Sequence, residues 1–129
     1  MSKEDAMEGI EMMARREALG LDRADMARVV GCDLALVAEF EEGRQPVLAH
    51  VEARLAALEF VRDQISGVLQ RHLAPPVLTT YTSDDDFWQA WPDMDGVPAC
   101  VHRVATADAL RSLTWAGVEA RIDVNVIGD

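Results

Sequence analysis

The chain has 129 residues, half of them apolar, and twelve basic against twenty-three acidic side chains leave a formal charge of −11. That length suits one compact domain, or a small domain with a half-size unit attached; the acidity excludes a broadly basic nucleic-acid-binding surface, so any DNA-binding face has to be local. The opening MSKEDAMEGIEMMARRE is too charged for a signal peptide, no apolar run approaches a membrane span, and Cys32 and Cys100 form no CxxC or Cys/His spacing, so a soluble cytoplasmic chain with reduced thiols, no metal site and no membrane partner is expected.

Residues 1–6 are polar and read as a frayed end. A helix is predicted from Met7 to Leu19, with Ile10, Met12, Met13 and Leu19 apolar and Gly20 placed to end it. Arg15 and Arg16 follow Met12 by three and four positions, so at least one has to snorkel over the apolar stripe; the functional alternative for Arg16 is a phosphate contact. The next stretch, LDRADMARVVGCDLALVAEFEEGR, reads as a helix-turn-helix. Asp22 caps a first helix over Arg23–Val30, Gly31 supplies the turn, Asp33 caps a second helix over Leu34–Glu42, and Gly43 stops it. Ala27, Val30, Val37 and Phe40 fall where two crossed helices touch.

Gln45-Pro46 leads into a long helix over about Val47–Leu73, with Val51, Leu55, Leu58, Ile65 and Leu69 as its stripe, Val61 and Val68 widening it, and Gly67 as a point of bending or division. Pro75-Pro76 marks the domain boundary, giving a helical unit over 1–74 and a small α/β unit over 75–129. Within the second unit Val77–Tyr81 reads as a strand. Ser83, followed by Asp86, caps a short helix faced by Phe87, Trp88 and Trp91, and Pro92 ends it. Asp93–Gly96 is a turn, Pro98–Val104 an edge strand, and Thr106 or Asp108 caps a helix ending at Trp115 and closed by Ala116-Gly117. Val118, Ala120, Ile122, Val124 and Val126 then alternate with polar residues, the signature of a strand with one buried face. The fold class expected is α+β: an all-α helix-turn-helix bundle with a long fourth helix, then a small α/β unit.

Residues 10–44 resemble the Cro/cI-type helix-turn-helix, through ARREALGLDRADMARVVG and a second helix ending in FEEGR. Beyond the motif, LTTYTSDDDFWQAWPDMDGV leading to VATADAL resembles small bacterial autorepressors associated with anti-CRISPR operons. That resemblance implies a homodimer that reads an inverted-repeat operator and represses its own operon, with the C-terminal unit contributing to dimerisation. Arg23 falls where the family usually has a glutamine that anchors a phosphate, and Arg28 and Arg44 also fit backbone contacts. The recognition helix places Leu34, Ala35, Ala38 and Glu39 where polar or basic readers are usual. Leu34 and Ala35 can touch a thymine methyl and Glu39 can accept from cytosine N4, but no bidentate purine contact is available. Asp33, Glu39, Glu41 and Glu42 make this helix acidic, which costs affinity beside phosphates.

Other candidate sites read as structural. Asp84-Asp85-Asp86 lacks the spacing of a calcium loop and reads as a solvated helix cap. His50, His72 and His102 stand outside any nucleophile or metal motif, so no catalytic residue, cofactor or enzymatic activity is expected. Trp88, Trp91 and Trp115 read as core, or one of them as an interface anchor, and Cys32 as a packed turn residue. Two functions follow. One is a dimeric DNA-binding repressor holding phosphates through Arg16, Arg23, Arg28 and Arg44. The other is a helix-turn-helix retained as scaffold, whose Leu34, Ala35 and Ala38 contact a partner protein as a co-regulator or antagonist of another regulator.

Overall fold

A computed structural model describes residues 7–71 and 77–124. Residues 1–6, His72, Leu73, the Pro75-Pro76 boundary and Val126, on which expectations also fell, lie outside the described residues. Among those described, six α-helices, one 3-10 turn and a two-stranded parallel sheet make an α+β protein. The chain divides into two compact units, residues 1–59 and 60–129, and the division falls inside the long fourth helix.

The first unit holds α1 (Gly9–Ala18), α2 (Arg23–Val30), α3 (Leu34–Glu41) and the first turns of α4 (Ala49–Gln70). Local signals set these bounds closely. Asp22 and Asp25 form a reciprocal capping box at the start of α2, each side chain bonding the other's backbone N–H at 2.7 and 3.0 Å. Gly31 closes α2 at φ 73°, in the left-handed region where a side chain is disfavoured. Asp33 stands at the N-cap of α3 but makes no side-chain cap bond, so this helix starts on packing alone. The packing is apolar: Met12 and Leu19 of α1 and its exit, Met26 of α2, Val37 and Phe40 of α3, and Val51, Leu55 and Leu58 of α4 are all buried. A Cβ on Gly9 would sit 2.3 Å from the Phe40 carbonyl oxygen, so only glycine lets α1 begin this close to the end of α3.

The second unit contains the last turns of α4, β1 (Val77–Thr80), α5 (Asp84–Ala90), the 3-10 turn Pro92–Met94, α6 (Ala99–Trp115) and β2 (Arg121–Val124). Ile65 and Leu69 of α4 pack with Leu78 of β1 and with Ala105, Ala109 and Leu113 of α6. β1 and β2 run parallel, with Leu78 opposite Ile122 and Thr80 opposite Val124.

Several expectations need correction. The segment Pro98–Val104 is the start of α6, not an edge strand: Pro98 occupies the N-cap, where its missing N–H costs nothing, and Val101, Ala105, Ala109 and Leu113 form one continuous buried stripe. Thr106 consequently lies inside the helix, its hydroxyl donating to the His102 carbonyl at 2.7 Å. The strand near the C-terminus exposes all four of its residues, and Ile122 and Val124 stay 38% and 48% exposed. Finally, Trp115 and Val68 are exposed rather than core, and α4 runs through Gly67 unbroken.

Candidate nucleic-acid interface

The geometry of the helix-turn-helix depends on a buried charge cluster. Glu41, the last residue of α3, lies four positions after Val37 and so on the inward side of the helix. Its carboxylate takes a two-point contact from Arg16 of α1, Nε to Oε2 at 2.7 Å and Nη2 to Oε1 at 3.0 Å, and a third bond from Nε of Arg23 at 3.0 Å. Arg16 also donates from Nη1 to the Leu21 carbonyl at 2.8 Å, clamping the turn between α1 and α2. Burial acts to raise the Glu41 carboxyl, but the hydrogen bonds from Arg16 and then Arg23, with their charges, override it and hold the carboxyl below its ordinary value. The same bond from Glu41 raises the Arg16 guanidinium against the opposing effect of its burial.

This cluster separates the four arginines assigned to phosphate contacts. Arg16 is inside, with only 9% of its side chain exposed, and its donors serve the fold. Arg23 is different: its Nε is fixed by Glu41 while 36% of its side chain remains exposed, and among the described residues its terminal nitrogens have no protein partner. A fixed stem with open donors leaves Arg23 able to meet an anion. Arg28 and Arg44 are exposed and pair with near neighbours, Arg28 with Asp25 and Arg44 with Glu42 at 3.1 Å. Such surface pairs contribute about 0–1 kcal/mol, so a phosphate can compete for both.

Of the recognition-helix positions, Leu34 is 53% exposed and Ala35 is exposed, whereas Ala38 and Glu39 are half-buried. The backbone carbonyl of Glu39 accepts from Arg44 N–H at 2.9 Å, tying the residue after the Gly43 stop back onto the helix. Cys32 is half-buried in the turn; burial, then the charge of Asp33, pushes its thiol upward and makes it a poor nucleophile. Eleven carboxylates stand against six arginines between residues 7 and 59. The two remaining arginines are also engaged, Arg15 with Glu59 at 2.9 Å and with Glu11, and Arg54 with the Val29 carbonyl at 3.2 Å.

Sequence reasoning counted Glu41 with the acids that oppose DNA and read Arg16 as a surface residue. The signal that pairs them was present: a carboxylate in register with Val37 must find a cation or hydrogen bonds when the helix packs. Among the described residues no group of His, Cys, Asp and Glu side chains is arranged to hold a metal ion, and no helix is long and apolar enough to cross a membrane. No family model and no curated protein matches the chain.

Proposed function

We propose that the protein is a cytoplasmic, non-enzymatic DNA-binding regulator, a homodimeric helix-turn-helix repressor of its own operon. The observation that carries this reading is Arg23: it stands at the first turn of α2, anchored at Nε by Glu41 with its terminal donors open, where a phosphate is held when α3 lies in the major groove. Arg28 and Arg44 add backbone contacts, and Leu34 and Ala35 meet thymine methyl groups while Glu39 accepts from cytosine. Selection of bound sequences from random DNA at low salt tests it, with an enriched inverted repeat as the expected result. Arg23→Ala should weaken binding on every sequence and lower the slope of log K against log salt by about one. No enriched sequence, or an Arg23 variant that binds unchanged, removes this reading.

The exposure of Leu34 and Ala35, together with the pairing of Arg28 and Arg44 to nearby acids, favours a second reading, a helix-turn-helix that contacts a partner protein through α3. In that case random DNA yields no enrichment, and Leu34→Asp abolishes capture of a co-purifying regulator.

A further inference from the structure

No side chain of α3, LALVAEFE, carries a hydrogen-bond donor, so guanine N7 and O6, adenine N7 and thymine O4 go unread by this helix. Of its two carboxylates, Glu41 is consumed on the inward side by Arg16 and Arg23. Glu39 is half-buried, and among the described residues its carboxylate takes part in no hydrogen bond or ion pair. Ala35 precedes it by four positions and so lies beside it on the same face of the helix, with Leu34 adjoining, and both of these are exposed. The outer face of α3 therefore combines one unengaged acceptor with an apolar pair.

We propose that this face reads 5-methylcytosine, so that cytosine methylation decides how tightly a DNA site is held; the inference rests on the DNA-binding reading above. A carboxylate brought among phosphates costs affinity unless it meets a donor, and base edges in the major groove offer two, adenine N6 and cytosine N4. Beside adenine N6 stands the N7 acceptor, which repels a carboxylate. Beside cytosine N4 stands C5, which carries no acceptor. Thymine has a methyl group on C5 but sets its O4 acceptor where N4 would be, and unmodified cytosine has N4 without the methyl group. Of these bases, 5-methylcytosine alone gives Glu39 a donor and gives Ala35 and Leu34 a methyl group on one base edge.

Selection by the full chain from two random DNA libraries, one made with cytosine and one with 5-methylcytosine in its place, followed by titration of the enriched site in both forms, decides it. Wild type should bind the methylated form at least about fourfold more tightly, the worth of one methyl group removed from water. Glu39→Gln, whose amide matches adenine N6 and N7 together, should move the selected base from cytosine to adenine. The double variant L34S/A35S removes the apolar contact and should bind the two forms within about twofold of each other. An enriched site that wild type binds equally in both forms, a Glu39→Gln variant that still selects cytosine, or an L34S/A35S variant that keeps the full preference overturns the methylcytosine proposal and leaves the regulator reading in place. No enrichment from either library removes both.

Discussion

Glu41 does for the first unit what a metal or disulfide does in smaller domains, since its one carboxylate receives donors from two other helices. Removing it leaves the Arg16 guanidinium buried without a counter-ion, whereas removing Arg23 leaves the two-point contact between Arg16 and Glu41 intact. Breaking a buried pair from one side costs about 3–5 kcal/mol, while a partly exposed partner is worth about 1 kcal/mol or less. Glu41→Ala should therefore lower unfolding free energy by about 3–5 kcal/mol in urea titration, and Arg23→Ala by about 1 kcal/mol or less. A Glu41→Ala loss below that of Arg23→Ala would show that the cluster is not what fixes α1, α2 and α3. The asymmetry also makes Arg23 the informative site for DNA binding, because its loss spares the fold.

At the scale of elements, legibility followed the locality of the signal. The bounds of α2 agree with the predicted Arg23–Val30 because capping box and glycine stop both lie within a few residues of the helix. The start of α6 was missed because its N-terminal cap comes from elsewhere: the Asp84 carboxylate, read as one of three solvated aspartates, accepts the Ala99 N–H at 2.7 Å from fifteen residues away. Proline before a stretch that carries Val101 and Val104 imitates an edge strand when that partner is unseen. Alternation likewise located β2 but not its exposure, since a period of two shows that the faces differ and not that anything covers them. Asp84→Ala should remove the cap on α6 while Ser83 still caps α5 through the Asp86 N–H. The expected cost is about 1 kcal/mol, with faster amide exchange confined to the first turn of α6. Equal exchange throughout α5 and α6 would refute this assignment.

The two units should also differ in acid. His102 of α6 is buried against the rings of Tyr81, Phe87 and Trp91, with centroids 5.0–5.8 Å away. The Thr106 hydroxyl donates to the His102 carbonyl at 2.7 Å, Nδ1 lies 2.9 Å from Thr80 Oγ1 and 3.2 Å from Thr106 Oγ1, and Nε2 has no partner among the described residues. Burial first, and the nearby charge of Arg103 second, push the imidazole down to about 4. A base with a depressed folded pKa is neutral in both states above about 6.5 and takes up protons only on unfolding as pH falls. The second unit therefore keeps its full stability above that pH and loses about 3 kcal/mol between about 6.5 and 4. In the first unit the stability contributed by the depressed Glu41 carboxyl is lost at lower pH, from the usual carboxylate range downward through its own lower value. All three tryptophans and the one tyrosine lie between residues 81 and 115, so intrinsic fluorescence reports the second unit alone. Fluorescence-detected stability should fall across that window while the helical signal of the first unit persists, giving two transitions that do not coincide. His102→Leu should flatten the slope between pH 6.5 and 4, at whatever cost it carries at neutral pH. An unchanged slope in that variant would move the proton uptake to another group.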